Sequence, residues 1–171
     1  MIEQPGKKKM LLFSGSSNEE LASKVASNLG TEVSTVESKE FASGEIYIRL
    51  NESVRGADCF VLQSHSGDIN KTIMEQLVLV DALKRASAKR ITAVLPFYPY
   101  SRQDKKALPR EPITARLVAT LDASSSFEEP ENRSIFFFPG CSIIFSFSYR
   151  HILRHFFDYF SQFLMLLMEH L

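Results

Sequence analysis

The feature that most constrains the fold is the alternation of short apolar runs and amphipathic segments over the first two thirds of the chain. Residues 10–13 form an apolar run that ends in the small polar residues 14–17, which predicts a buried strand and then a turn. A helix is predicted next, because Ser17 and Glu20 have the spacing of a capping box. Gly30 suits a left-handed C-terminal cap. This segment therefore predicts a strand, a turn and a helix.

The alternation continues through the following segments. Alternating apolar residues at 46–50 predict a half-buried strand, residues 59–62 predict a strand buried on both faces, and residues 91–95 predict another strand. Between the last two, Asp68 or Asn70 can cap a helix whose apolar residues recur at helical spacing: Ile73, Leu77, Val80 and Leu83. Strands that alternate with helices predict an α/β fold, in which a parallel sheet is covered by helices on both faces.

Composition limits the classes of ligand. Lysine plus arginine equals aspartate plus glutamate at 20 each, so no field of the whole chain attracts nucleic acid or an anionic membrane. Cys59 and Cys141 lie far apart, in no spacing typical of a zinc site or a disulfide framework, so we expect a reducing, cytoplasmic location. The apolar run behind Lys9 is too short for a secretory signal, and no targeting signal is expected. A phosphate ligand must therefore be held by a local cluster of charge.

The character of the chain changes beyond Leu121, where ten of the fourteen phenylalanines occur and the alternation is expected to stop. Two apolar stretches, residues 135–149 and 152–168, are near or below the length of a membrane span. The first stretch contains a Pro-Gly pair and the second contains Asp158, and both interruptions disfavour a transmembrane helix. The simpler interpretation is a tail that arises from a shifted or unspliced reading frame.

Ligands of parallel sheets bind beyond the carboxyl ends of the strands, so we expect the chemistry in the loops after Phe13, Leu62 and Leu95. The loop after Leu95 carries four cations within nine residues, which suit a polyphosphate but also suit a solvated surface: Arg102, Lys105, Lys106 and Arg110. A second candidate is the segment 41–45. Its Phe41 can stack on a purine, although such a residue is more often part of a core.

Six segments, in chain order, together resemble ribose-phosphate pyrophosphokinase: Phe13-Ser14-Gly15, Phe41-Ala42-Ser43-Gly44-Glu45, Glu52-Ser53-Val54-Arg55-Gly56, Ile73-Met74-Glu75, Pro96-Phe97-Tyr98-Pro99-Tyr100-Ser101-Arg102-Gln103-Asp104-Lys105-Lys106 and Arg110-Glu111-Pro112-Ile113. The resemblance implies a phosphoribosyltransferase-like parallel sheet flanked by helices. It places the family's N-terminal domain at residues 9–121 and an atypical, phenylalanine-rich hydrophobic tail at residues 122–171. The enzymes of this family transfer a pyrophosphoryl group from magnesium-ATP to ribose 5-phosphate, and the product feeds nucleotide synthesis.

The resemblance also implies roles for individual residues. Phe41, Ser43 and Glu45 would hold adenine, while Arg102 and Gln103 from a neighbouring subunit would complete the ATP site. The protein would thus be a homo-oligomer that takes Mg²⁺ together with ATP. Most family members have aspartate or asparagine at the position of Ser43, whose contact to the adenine amino group would be shorter in reach.

The resemblance to ribose-phosphate pyrophosphokinase also implies a second, regulatory phosphate site. It would be formed by Ser53, Arg55 and Lys106. Three parts of the family pattern do not occur in this sequence: an Asp-Leu-His segment that helps to bind magnesium-ATP, a mobile basic loop, and a second domain that binds ribose 5-phosphate. No catalytic residue and no metal ligand can therefore be assigned.

Three interpretations stay open at this point. The chain is a truncated family member that is inactive alone, or a non-catalytic regulatory subunit of a phosphoribosyl pyrophosphate synthetase. In a third interpretation the tail binds a membrane or a partner. Retention of Arg102 and Gln103 favours the first interpretation over the second.

Overall fold

The computed structural model describes residues 9–125 and 133–137. The elements follow in chain order: β1 (Met10–Ser14), α1 (Glu19–Leu29), β2 (Val36–Glu40), β3 (Ile46–Leu50), β4 (Asp58–Leu62), α2 (Ile69–Arg85), β5 (Arg90–Leu95), α3 (Thr114–Ser125) and β6 (Arg133–Phe137). Four strands form a parallel sheet in the order β1-β4-β5-β6, and β2 pairs with β3 in a separate antiparallel hairpin. The predicted α/β fold with a parallel sheet is confirmed.

Helices cover both faces of the sheet because its central strands are apolar on both sides. On β4, Val61 lies in the core under α2, whereas its neighbour Leu62 packs against α1. The α2 side is the larger core, and the hairpin closes it through half-buried residues of β2 and β3. A third cluster joins α2, β5 and α3: Ile73, Ala93, Leu95, Tyr98, Ala115 and Val118. Burial of such side chains contributes about 1.5–3 kcal/mol each, so these contacts position the loops at the sheet edge.

Helix caps agree with the sequence patterns at two of three positions. Gly30 caps α1 with φ 64°, in the left-handed region, and Asp68 caps α2, both as predicted. The prediction of Ser17 as the N-cap of α1 is wrong, because Asn18 accepts the hydrogen bond from the first turn instead. The Ser17 hydroxyl donates to Oε1 of Gln63 at 3.0 Å, a contact between loops that no local pattern reveals.

The chain beyond Leu121 contributes to the sheet. Helix α3 continues to Ser125, and β6 pairs in parallel with β5 in a register that joins Ile91 to Arg133 and Leu95 to Phe137. The expectation that the alternation stops after Leu121 is therefore wrong for this segment. Aromatic and β-branched residues favour strands, and the open edge of β5 supplies a partner. The domain division between residues 121 and 122 stays a prediction.

The hydrophobic stretches of the tail fall mostly outside the described residues. Only residues 135–137 of the first stretch are described, as part of β6, and residues 152–168 lie beyond them. None of the helices in the described ranges is long and apolar enough to cross a membrane.

Candidate functional site

The loops after β1, β4 and β5 meet at the carboxyl edge of the sheet, as the sequence predicts. Backbone hydrogen bonds join them there. Gly15 N donates to Leu62 O at 3.0 Å, and Gln63 N donates to Val94 O at 3.1 Å. His65 N then donates to a carbonyl of the loop after β5 at 3.3 Å. The edge is thus a continuous surface, on which side chains from distant parts of the chain come together.

A buried polar cluster at this edge is centred on Glu75 of α2, which is 5% exposed. Its carboxylate accepts hydrogen bonds from the backbone N–H and the hydroxyl of Ser16 and, at 2.8 Å, from Nε2 of Gln63. Gln63 Nε2 also donates to the carbonyl of Thr72, while Oε1 accepts from Ser17. Both polar atoms of the Gln63 side chain therefore have partners, and the cluster fixes the β1 loop against α2.

A second buried chain of polar groups runs from the β4 loop to α3. Gln76 Nε2 donates to Asp122 Oδ1 at 2.9 Å, so its Oε1 accepts from Nε2 of His65, also at 2.9 Å. The other ring nitrogen of His65 faces the hydroxyl of Thr72 at 3.1 Å. Burial lowers the pKa of His65 to about 4 and raises the pKa of Asp122 to about 7. The neutral forms of both groups are therefore favoured in the fold.

Sequence patterns did not identify these two groups of residues. Gln63 and His65 follow a buried strand, and Glu75 and Gln76 lie in the helix after it. The available signal was the presence of polar residues on the predicted apolar face of α2, where burial requires hydrogen-bond partners.

The raised pKa of Asp122 predicts a pH-dependent stability. The pKa of the Asp122 carboxyl is about 7 in the fold, and its ordinary pKa is 3.8. The contribution of the protonated carboxyl to the free energy of unfolding is therefore complete below about pH 4 and is lost as pH rises to about 7. His65 acts in the opposite direction, since its contribution is lost as pH falls from 6.5 to about 4. Asp122→Asn removes the pH-dependent contribution of Asp122 and leaves that of His65 in place.

We therefore expect the stability of Asp122→Asn relative to the parent chain to increase from pH 4.5 to pH 7.5. Urea unfolding at several pH values measures this difference directly, and His65, present in both proteins, cancels from it. A difference that does not change with pH would show that the Asp122 carboxyl is ionised throughout.

The segment 41–45 forms the turn of the β2-β3 hairpin, where all five residues are exposed. Ser43 donates from its hydroxyl to Oε2 of Glu45 at 3.0 Å. The ring of Phe41 is 54% exposed and meets Tyr47 edge to face, with centroids 6.3 Å apart. Phe41 is therefore not a core residue, and its exposed ring, a hydroxyl and a carboxylate lie close together.

The hairpin turn lies toward the carboxyl edge of the sheet. Glu40, the last residue of β2, forms an ion pair with Lys71 in the first turn of α2, at 2.5 Å. Since α2 begins directly after the β4 loop, this contact places the turn beside the loops of that edge. The segment that bears Phe41 and the loop after β5 thus belong to the same region of the fold.

The loop after β5, residues 96–113, presents exposed cations. All are exposed, and none forms an ion pair with the part of the chain that the structure describes: Arg102, Lys105, Lys106 and Arg110. Gln103 is held at the start of α3, where its Oε1 accepts from Thr114 at 2.6 Å. The cations are therefore available to an anionic ligand.

The three residues of the expected regulatory site belong to segments at opposite edges of the sheet. Ser53 and Arg55 precede β4, and their backbones contact Lys9 and Ala88 at the amino edge of the sheet. Lys106 follows β5 and lies at the carboxyl edge. The strands between these edges span about 17–20 Å, so Ser53 and Arg55 lie at the edge opposite to the one at which the loop of Lys106 begins.

The described residues contain no group of three histidine, cysteine, aspartate or glutamate side chains that could hold a metal ion. The exposed charged side chains of the loop after β5 are mainly cations, which suit phosphate oxygens and not a metal. These residues therefore do not fit a resident metal.

Comparisons with known proteins identify the family of this chain. Residues 10–124 match the sequence model described as the N-terminal domain of ribose phosphate pyrophosphokinase. A ribose-phosphate pyrophosphokinase of Corynebacterium efficiens is 61% identical over 114 residues, which cover 67% of this chain and 35% of the relative. One of Streptomyces avermitilis is 58% identical over 120 residues, which cover 70% of this chain and 37% of the relative.

The fold of this chain is also similar to that of a solved structure. The crystal structure of phosphoribosylpyrophosphate synthetase from Mycobacterium smegmatis superposes with a TM-score of 0.68 at 57% identity, over 69% of this chain and 40% of that one. This chain thus spans little more than a third of the length of the curated relatives that it matches. By its matched domain and its fold, the chain belongs to the ribose-phosphate pyrophosphokinase family.

Proposed function

We propose that this chain supplies the ATP-binding part of a ribose-phosphate diphosphokinase, which transfers a pyrophosphoryl group from magnesium-ATP to ribose 5-phosphate. The observation that supports the proposal most directly is the exposed set of cations around Arg102, which have no ion-pair partners among the described residues. Four cations within nine residues match a polyphosphate in charge. The exposed ring of Phe41 on the hairpin turn matches a purine.

The parts of the nucleotide have distinct partners in this proposal. The face of Phe41 stacks on adenine, and Glu45 accepts a hydrogen bond from the exocyclic amino group. Ser43, already bonded to Glu45, orients that carboxylate. Arg102 contacts phosphate oxygens in a bidentate manner, and Gln103, held by α3, lies beside it.

Assembly completes the site in this proposal. Arg102 and Gln103 serve the ATP site of a neighbouring subunit in a cytoplasmic homo-oligomer, and magnesium arrives as part of the magnesium-ATP substrate. Ser53 and Arg55 meet Lys106 from another subunit to form a regulatory phosphate site, which agrees with their separation within one chain. A non-catalytic regulatory subunit is the alternative function.

Replacement of Arg102 tests the proposal. In a full-length enzyme that carries this N-terminal sequence in place of the corresponding part of a relative, Arg102→Ala should lower kcat/KM for ATP by about tenfold or more. The reason is that a charge-assisted hydrogen bond to phosphate contributes about 1.5–3 kcal/mol. Steady-state kinetics with varied ATP and saturating ribose 5-phosphate measure this change.

Arg116→Ala is the matched control, since it removes the same charge from an exposed position on α3. Its kcat/KM for ATP should stay close to that of the parent enzyme. Equal values for the two variants would remove Arg102 from the ATP site and leave the basic loop as solvated surface.

A further inference from the structure

Tyr100 has an unfavourable backbone conformation close to the cations of the loop after β5. Its φ is 56°, in the left-handed region that residues with a large side chain rarely adopt. Such conformations persist only where surrounding contacts impose them, and they are common at functional sites. Since Tyr100 lies two residues before Arg102, its conformation sets the direction in which the basic segment leaves the sheet edge.

The segment around Tyr100 is fixed from two sides. On the α3 side, the Tyr98 hydroxyl donates to Ala115 O at 2.7 Å, and Ala115 N donates to Gln103 O at 3.2 Å. On the α2 side, the Tyr100 hydroxyl donates to Oδ1 of Asn70 at 2.6 Å. Gln103 N then closes the turn by donating to Tyr100 O at 2.9 Å. The Asn70 contact is thus a short bond that joins the left-handed residue to a helix.

Asn70 lies in the first turn of α2, next to Lys71, which holds the end of the hairpin through Glu40. Neighbouring residues of one helical turn therefore contact both segments that carry the proposed nucleotide ligands. The Asn70 side chain is exposed, so the core does not require it, and an apolar replacement leaves no cavity. A role in positioning the loop explains its contact.

We infer that Asn70 is a positioning residue for the basic loop: its amide oxygen holds the Tyr100 hydroxyl and so keeps Arg102 and Gln103 oriented for ATP. The inference about ATP rests on the proposed function. The inference about the loop stands on the contacts alone, and the two can be tested separately.

Limited trypsin digestion of the 171-residue chain tests the loop. Trypsin cleaves after arginine and lysine, and Arg102 and Lys105 are exposed. Loss of the bond to Tyr100 should raise the rate of cleavage after these residues about three- to tenfold in Asn70→Ala and in Tyr100→Phe. Combining both changes should raise it no further than either alone, because both remove the same bond.

Two variants supply the controls. Asn70→Asp keeps an Oδ1 acceptor and suits the first turn of a helix, so it should restore the parent cleavage rate. Tyr47→Phe removes a phenolic hydroxyl from the hairpin and should leave cleavage of the loop unchanged. Equal cleavage of Asn70→Ala and the parent chain, or no restoration by Asn70→Asp, would overturn the inference.

Equilibrium dialysis with ATP provides the second readout, on the same variants in the full-length enzyme that carries this N-terminal sequence. Asn70→Ala should weaken ATP binding about two- to tenfold, and Asn70→Asp should restore it. Unchanged ATP affinity in Asn70→Ala, under conditions where Arg102→Ala loses affinity, would overturn the positioning role. If ATP affinity does not depend on Arg102 at all, the proposed function fails, and the digestion series still decides whether Asn70 holds the loop.

Discussion

A protein of these 171 residues alone should form no phosphoribosyl pyrophosphate from ATP and ribose 5-phosphate. Pyrophosphoryl transfer depends on holding two substrates in line, and such positioning contributes about 7–11 kcal/mol to rate enhancement. The chain matches about a third of the length of its curated relatives. No segment of it resembles a ribose 5-phosphate site. We therefore expect the reaction to be reduced below detection.

A radiolabelled-ATP assay with magnesium and ribose 5-phosphate measures this outcome at high protein concentration. The full-length relative from Corynebacterium efficiens serves as the positive control, and Arg102→Ala of this chain serves as the background. Product above that background would show that residues 122–171 replace the missing substrate site, and our assignment of this chain to the ATP-binding part alone would be wrong.

Gly15→Ala should destabilise the fold by about 3 kcal/mol, because it disrupts a buried group of hydrogen bonds. A Cβ at this position would lie 1.9 Å from Oε1 of Gln63 and 2.2 Å from its Cδ, so the Gln63 side chain must move. That movement breaks its bonds to Ser17 and Glu75 and leaves buried polar atoms without partners. Urea unfolding of the parent chain and the variant measures the loss.

A double-mutant cycle separates this clash from an effect of backbone conformation. Gly15 has no positive φ, so alanine can adopt its backbone angles without strain. In a Gln63→Ala background, where nothing obstructs the Cβ, Gly15→Ala should cost less than about 0.5 kcal/mol or be stabilising. The same cost in both backgrounds would show that Gln63 is not the reason for glycine at this position.

Local sequence patterns were sufficient for the elements that carry their own signal. The apolar run of β4, the capping of α2 by Asp68 and the left-handed Gly30 were all predictable, because periodicity and capping depend on residues close together in the chain. The parallel sheet followed from the order of these elements. The hairpin turn and the basic loop were also identified as candidates from local composition, and their roles in binding ATP remain predictions.

Elements that depend on a partner were not predictable in this way. Strand β2 has the polar sequence Val-Glu-Ser-Lys-Glu and becomes a strand only by pairing with β3. Strand β6 lies in a segment whose phenylalanines suggested an unrelated tail, and the edge of β5 determines its conformation. In both, hydrogen bonds to a neighbouring strand outweigh the local signal.

The sequence by itself determined the family to which the chain belongs and the order of six elements: β1, α1, β3, β4, α2 and β5. Only the tertiary structure decided which polar groups meet at the sheet edge: Gln63 with Glu75, His65 with Asp122 through Gln76, and Tyr100 with Asn70. It also separated Ser53 and Arg55 from Lys106. The physical reason is that burial and hydrogen bonding depend on distances in space, which chain folding sets between residues up to 46 positions apart in these contacts.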